Sequence, residues 1–259
     1  MDKIDKTEII PRSVYSVGKL ASMTATDEDM KLINKYTLRK FTADEVFTFK
    51  VKMCDNETDD RNYMPFTLRA LKDMEKLYVG RAMGKDHTFH ADDQCARVFA
   101  TELVYAGEKK TKAGEPFATL VAKCYMIRTE STKDLIAEIE GGIKKEVSTN
   151  SAPVKAICSI CGADNVRQYC RHFPGSIYTD SGKEKQCLIT IDGVKDVYEL
   201  SFVGVPAQRR AGVYKAFGDK VVTCEDLQSA AKKQAEREKI EETEMRLKIA
   251  EAEIMDIGG

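Results

Sequence analysis

The stretch Ile157 to Gly175, ICSICGADNVRQYCRHFPG, constrains the fold of this chain most, because it concentrates metal-ligand side chains. Cys158 and Cys161 form a CxxC pair, and Cys170 and His172 follow after a spacer of eight residues. Thiolate and imidazole are ligands that Zn²⁺ prefers, and a CxxC turn brings two sulfurs to one tetrahedral ion. Four protein ligands leave no open position on the ion. The spacing therefore predicts a structural zinc site; the alternative is four unrelated buried residues.

The composition indicates a mainly globular chain. Of the 259 residues, 42% are hydrophobic and 32% are charged, and the formal net charge is −1. The length suits one sizeable domain with appendages, or two small domains. So small a net charge does not indicate the excess of basic residues that binding to duplex DNA or to an anionic membrane requires. We therefore expect neither nucleic acid nor a membrane as a partner.

The start of the chain bears on the compartment. Its first ten residues, MDKIDKTEII, lack the apolar segment of a signal peptide, and no apolar run is long enough to cross a bilayer. We therefore expect a cytosolic, reducing compartment. In such a compartment cysteines are thiols or metal ligands rather than disulfides.

Hydrophobic patterning divides the chain into three parts. It predicts an N-terminal arm over residues 1–35, a β-rich domain over 36–218 that includes the zinc-binding insertion 157–175, and a charged C-terminal helix over 219–259. Strands are predicted at 45–53, 97–105, 117–127, 143–149, 186–191 and 197–205, and helices at 66–77 and 131–139. The apolar spacing in the C-terminal segment fits either a short coiled coil or a solvated single helix.

Histidine is scarce, with three in the whole chain, so each one is a candidate for chemistry. His87 and His90 lie in KDHTFHADD, a polar loop before a strand, where an imidazole suits a general base. Alternatives are surface residues or an HxxH metal pair, although no third ligand is evident nearby. Ser148 ends a short strand and fits either a nucleophile or an ordinary strand serine. Cys95 and Cys124 are candidate thiol nucleophiles, but their apolar surroundings favour core filling.

Five segments between about residues 30 and 217 carry a family resemblance: KLINKYTLRKFTADEVFTFKV, MCDNETDDRNYMPFTLRALKDMEKLYVGR, KDHTFHADDQCARVF, GGIKKEVST and VYELSFVGVPAQRRAGVYK. In this order they resemble the phage prohead (capsid maturation) serine protease family, which is related to the herpesvirus assemblin proteases. The first two resemble that family's lead-in and its acidic loop and helix. The next two resemble its histidine and serine segments, and the last resembles its closing E-x-S-x-V-x-x-P-A strand. CSICG with the later CRH and PG resembles a zinc-binding insertion found in a subset of relatives.

The resemblance implies a catalytic triad and a fold. Carried over by position, it makes Ser148 the nucleophile and His87 the general base, with His90 as the fallback base. Glu199 becomes the acidic member, with Asp196 as the second choice. The implied fold is α+β: a closed or nearly closed, mostly antiparallel β-barrel of assemblin type, flanked by helices. A zinc-stapled loop and a C-terminal helix complete it.

The resemblance also implies a function. The chain would be a serine endopeptidase that processes scaffold and major capsid proteins during phage prohead maturation, in the host cytoplasm and inside the procapsid. The C-terminal helix would tether it to scaffold or mediate self-association. One alternative is an inactive structural or scaffolding protein of the same fold, with His87 and Ser148 more than about 6 Å apart. Another is a zinc-knuckle nucleic-acid-binding module, which would use nearby basic residues: Lys144, Lys145, Lys155, Arg167 and Arg171.

Overall fold

The computed structural model describes residues 24–58, 60–180 and 182–214. Its α-helices are α1 (Asp27–Ile33), α2 (Leu68–Leu77) and α3 (Lys133–Glu140). Its strands are β1 (Val46–Asp55), β2 (Ala82–Lys85), β3 (Ala96–Lys110), β4 (Pro116–Ile127), β5 (Val147–Cys158), β6 (Ile177–Asp180), β7 (Lys183–Gln186), β8 (Ile189–Phe202) and β9 (Gly212–Tyr214). Short 3₁₀ turns span Ala91–Asp93 and Glu130–Thr132. The start of the predicted N-terminal arm and the predicted C-terminal helix over 219–259 lie outside the described residues.

Seven strands form one sheet in the order β5-β8-β2-β3-β4-β1-β9, and β6 pairs with β7 in a separate hairpin. Neighbouring strands run antiparallel, except for β2 and β8, which are parallel. The described part of the chain is therefore a mixed α+β fold dominated by strands. This much of the predicted fold class is confirmed.

The sheet does not close into a barrel, so that part of the fold prediction is wrong. The edge strands β5 and β9 meet just before β5 begins. Glu146 and Gly212 form a single bridge there, and the Val213 N–H donates to the Lys145 carbonyl at 2.7 Å. A Cβ at position 212 would lie 2.8 Å from that carbonyl oxygen, so the close approach requires glycine. Because β9 has three residues and β5 has twelve, β9 is too short to pair along β5 and close the sheet.

Helix α2 covers part of the sheet and packs mainly on β8. The Thr67 hydroxyl caps its N-terminus by accepting a hydrogen bond from the Ala70 N–H at 3.1 Å, which satisfies one of the unpaired amides of the first turn. Leu71 and Met74 lie one turn apart on the same face and are fully buried. The helix therefore anchors the centre of the core against β8.

Helix α1 lies inside the segment predicted as an N-terminal arm. Thr26 and Asp29 form a reciprocal capping box at its start. Ile33 is fully buried in a second apolar cluster that also contains Phe99 and Tyr125. The described end of the arm is therefore packed against strands β3 and β4.

Strands β5 and β8 form a long antiparallel hairpin. Their pairing runs from Val147 opposite Phe202 to Cys158 opposite Ile189, with two β-bulges in between. Residues 159–188, including β6 and β7, form the insertion that connects the two strands. Ser148 and Cys158 lie ten residues apart on β5, which corresponds to roughly 33 Å at about 3.3 Å per residue. The serine segment and the cysteine-rich segment therefore lie at opposite ends of one hairpin.

Candidate functional site

Polar side chains share one face of the sheet at the end of the β5–β8 hairpin away from the insertion. Ser148 on β5 pairs directly with Ser201 on β8, and Glu199 precedes Ser201 by two residues. Because successive strand residues point to opposite faces, these three side chains project from the same face. Gly84 of β2 pairs with Ser201 from the other side, and a Cβ there would lie 3.4 Å from Ser201 Oγ. Glycine at this position leaves room for the polar group.

His87 reaches this face from the turn that follows β2. Asp86 and His87 both adopt the left-handed backbone region, with φ of 51° and 56°, which is uncommon for residues other than glycine. His87 Nδ1 lies 2.6 Å from Glu199 Oε1. The hydrogen bond to Glu199 raises the pKa of His87, and partial burial opposes the rise without cancelling it. If Nδ1–H donates to the carboxylate, Nε2 is left as the basic nitrogen.

Both carboxylate oxygens of Glu199 have a partner. Ser201, which is fully buried, donates its hydroxyl to Glu199 Oε2, while Oε1 faces His87. The backbone of the same strands is also contacted, because the buried Tyr78 hydroxyl lies 3.1 Å from the carbonyl oxygen of Asn150 and 3.2 Å from that of Glu199. Sequence reasoning missed Ser201 as a site residue. Its spacing of two from Glu199 on a strand was the available signal, because this spacing places both side chains on one face.

Ser148, the predicted nucleophile, lies on the same face but is largely covered. The residue is 8% exposed. No hydrogen bond joins Ser148 to His87 among the described residues. The structure therefore brings His87 and Glu199 into contact and places Ser148 beside Ser201, without linking its hydroxyl to the imidazole.

The fallback residues lie elsewhere. His90 is exposed and precedes the 3₁₀ turn Ala91–Asp93, with no hydrogen bond from its side chain to that turn. Asp196 pairs with Arg81 at 2.9 Å, and both side chains are more than two-fifths exposed. Neither joins the group formed around Glu199, which favours His87 and Glu199 as the functional pair.

The two candidate thiol nucleophiles do not suit that role. Burial raises the pKa of Cys95 to about 11, and burial also raises the pKa of Cys124. Cys124 is fully buried in the main core. Because the thiolate is the reactive form, both cysteines are poor nucleophiles near neutral pH.

An exposed aromatic pair flanks the histidine and the glutamate. Phe89 is 74% exposed and Tyr198 is 48% exposed, and their rings meet edge to face with centroids 6.3 Å apart. Tyr198 is the extra residue of a β-bulge, because Asn150 pairs with Glu199 while the next β5 residue pairs with Val197. Bulges re-aim side chains and are common beside active sites.

The cysteine-rich segment forms a second site at the far end of the hairpin. The donor atoms of Cys158, Cys161, Cys170 and His172 all lie within 4.8 Å of one another, so this group could hold a metal ion. Cys158 Sγ lies 3.7 Å from His172 Nδ1. The Ile160 N–H also points to Cys158 Sγ at 3.4 Å. Amide donors of this kind stabilise a thiolate, which is the form that binds metal.

The turn between the first two cysteines has the geometry that such a site needs. Gly162 follows Cys161 with a φ of 74°, and its N–H donates to the Cys158 carbonyl at 2.9 Å. Open space surrounds its missing Cβ, so the glycine is required by its backbone conformation rather than by crowding.

A fifth potential ligand was missed from the sequence. Cys187 is fully buried, and its sulfur lies 3.9 Å from Cys158 Sγ. The residue comes fifteen positions after His172 in the chain, beyond the β6–β7 hairpin, so local spacing gave no signal for it. The fold returns the chain to the metal-ligand group at this point.

Comparison with known proteins does not indicate the function of this chain. Comparisons of the chain with protein-family models, with curated proteins and with solved structures gave no match. Within the described ranges, no helix is both long and apolar enough to span a membrane. Any proposal of function therefore depends on the arrangement of the site residues.

Proposed function

We propose that this chain is a serine endopeptidase of the prohead protease type, with Ser148 as nucleophile, His87 as general base and Glu199 as the orienting acid. The observation that carries the proposal is the His87–Glu199 hydrogen bond, on the sheet face that Ser148 shares through its pairing with Ser201. A nucleophile, a base and a group that orients the base are the three parts that acyl transfer requires.

Each group has a defined task in this mechanism. Glu199 accepts the Nδ1–H of His87, which leaves Nε2 free to take the proton from the Ser148 hydroxyl. The serine oxygen then attacks the peptide carbonyl carbon, and His87 returns the proton to the departing amine. Water then takes the place of the amine: His87 accepts a proton from it, its oxygen attacks the ester carbon, and the proton returns to the Ser148 oxygen as the carboxylic acid product leaves. Catalytic hydrogen bonds are often long in free enzymes and tighten when substrate binds, so the turn carrying His87 must close toward Ser148.

The resemblance supports scaffold protein, capsid protein and the protease itself as substrates, inside the procapsid in the host cytoplasm. The segment 219–259 would hold the enzyme near scaffold or near a second copy and so raise the effective substrate concentration. In the cysteine-rich segment we propose zinc as the ion, because three thiolates and one imidazole match its preferred ligands. With four protein ligands the zinc would brace the insertion and take no part in hydrolysis.

Labelling of the serine tests the proposal directly. A fluorophosphonate probe should modify Ser148, identified by peptide mass spectrometry, and the Ser148→Ala variant should not be labelled. Ser151→Ala is the matched control, because Ser151 lies on the same strand, is less buried than Ser148 and pairs with Val197 rather than with Ser201.

Processing during assembly gives the second readout. Co-expression with scaffold and capsid protein should yield cleaved products with the wild type and with Ser151→Ala, but none with Ser148→Ala or His87→Ala. Continued cleavage by the Ser148→Ala variant would show that the assignment is wrong.

The absence of a Ser148–His87 hydrogen bond among the described residues favours one second candidate. This is a structural protein of the same fold, with no activity. In that case the probe leaves Ser148 unmodified, and capsid assembly proceeds equally with the wild type and with Ser148→Ala.

A further inference from the structure

Cys187 is held rigidly beside the metal-ligand group. Its N–H donates to the Ser176 carbonyl, and its own carbonyl accepts from the Gly175 N–H, both at 2.8 Å. These bonds tie Cys187 to the segment that directly follows His172. The residue is fully buried, and its sulfur lies 3.9 Å from Cys158 Sγ. The position of this thiol is therefore fixed by the backbone on both sides.

The distances around Cys158 match the edges of a metal tetrahedron. Zn–S bonds of about 2.3 Å and Zn–N bonds of about 2.0–2.1 Å place two sulfurs roughly 3.8 Å apart, and a sulfur and a nitrogen roughly 3.6 Å apart. Cys158 Sγ lies 3.7 Å from His172 Nδ1 and 3.9 Å from Cys187 Sγ. Both neighbours are thus at the separation of two ligands on one ion.

We propose that Cys187 is an alternative ligand of the metal site. Cys158, Cys161 and Cys170 bind the ion throughout, and the fourth position is taken by either His172 or Cys187. A tetrahedral ion accepts four donors, and the four mutually close donors already fill it. Cys187 lies outside that group but 3.9 Å from Cys158 Sγ, so in this proposal it binds only when His172 leaves.

The two competing donors differ in their surroundings. His172 is partly exposed, and its ring meets Tyr178 edge to face with centroids 4.7 Å apart. Cys187 lies inside the core and is shielded from solvent. His172 can therefore swing away toward solvent without opening the core, while Cys187 stays beside Cys158. The site keeps its ion when the histidine leaves and gains a fourth thiolate. This inference concerns the metal site alone and does not depend on peptidase activity.

Single and double substitutions test the exchange in the full chain. After dialysis against metal-free buffer, the zinc content should remain stoichiometric in His172→Ala and in Cys187→Ser, and should be lost in the double variant. Cys161→Ser should lose zinc by itself. Cys95→Ser is the control, because this thiol contacts the Met83 carbonyl and lies outside the metal group. Circular dichroism checks the fold of every variant.

Counting the sulfur ligands decides the matter even if the double variant does not fold. Zinc X-ray absorption should report three sulfurs and one nitrogen in Cys187→Ser, and four sulfurs in His172→Ala and in His172→Gln. The proposal is overturned if the His172 variants lose zinc as fully as Cys161→Ser, if they show three sulfurs, or if the double variant keeps its zinc. A wild-type chain that binds no zinc overturns it as well.

Discussion

Replacing Glu199 with glutamine tests the pair at the centre of the proposed site. The substitution keeps the shape of the side chain and removes its charge. A hydrogen bond to a charged group contributes about 1.5–3 kcal/mol to stability. The loss of stability should lie at the lower end of that energy range, because the His87 side chain is 34% exposed and solvent screens the pair. The pKa of His87 should also fall in the variant, because the neutral amide no longer favours the protonated imidazole.

Proton NMR measures this effect directly, because the chain has only three histidines whose ring signals must be assigned. His87→Ala identifies the His87 signal, and the His90 signal is the internal control in the same spectra. The proposed peptidase activity should fall by up to about 10⁴-fold in Glu199→Gln, as when the acid of a serine protease triad is replaced by its amide. A His87 signal that titrates at the same pH in both proteins would refute the reasoning.

The same pair predicts how stability depends on pH. The folded-state pKa of His87 is raised above its unfolded value, so its contribution to stability is complete below about pH 6.5 and is lost as pH rises through the folded-state pKa. Denaturant unfolding should therefore show a larger difference between wild type and Glu199→Gln at about pH 6 than at about pH 9. An equal difference at both pH values would show that the loss is purely structural.

Three further predictions concern stability and can be measured by denaturant or thermal unfolding. Tyr78→Phe should cost about 1–3 kcal/mol, because it removes the buried hydroxyl that lies between two main-chain carbonyls. Gly175→Ala should cost more than Gly182→Ala: both glycines have positive φ, but a Cβ at 175 would lie 2.5 Å from Tyr63, whereas none of the described atoms lies within 4 Å of a Cβ at 182. A zinc chelator should lower the melting temperature of the wild type and leave that of Cys161→Ser unchanged, since that variant has already lost the ion.

The features that could be predicted from the sequence are those that depend on residues close together in the chain. The CxxC turn needs a short spacing and a glycine, so the ligands Cys158 and Cys161 can be found from a few residues. Strands β1, β3 and β4 lie close to where they were predicted, whereas the short strands β2, β6, β7 and β9 were not predicted. The strands predicted at 186–191 and 197–205 belong to one strand, β8. The residues between them include Gly193 and resemble a turn in the sequence, but they continue the pairing with β5, which accommodates them through β-bulges.

Features that depend on distant parts of the chain were not predictable in this way. Strand β5 runs on to Cys158 instead of ending at residue 149, since its register is set by pairing with β8. Closure of the sheet was predicted wrongly, because it depends on the length of β9 opposite β5. Cys187 lies beside the metal-ligand group because its backbone is hydrogen-bonded to Gly175 and Ser176, on the other side of the β6–β7 hairpin. In each case the partner lies far away in sequence and leaves no local pattern.

In the proposed metal site, the choice between His172 and Cys187 would determine how much of the insertion the metal holds in place. Ligands at Cys158 and His172 fix the first half of the connection between β5 and β8, whereas a ligand at Cys187 joins its two ends directly. Closing a longer loop removes more chain entropy, although the gain grows slowly with length. The Cys187-bound form should therefore protect the β6–β7 hairpin better. Hydrogen exchange at the amides of positions 175 and 187 should be slower in zinc-loaded His172→Gln than in zinc-loaded Cys187→Ser, and equal rates would argue that the thiol does not bind the ion.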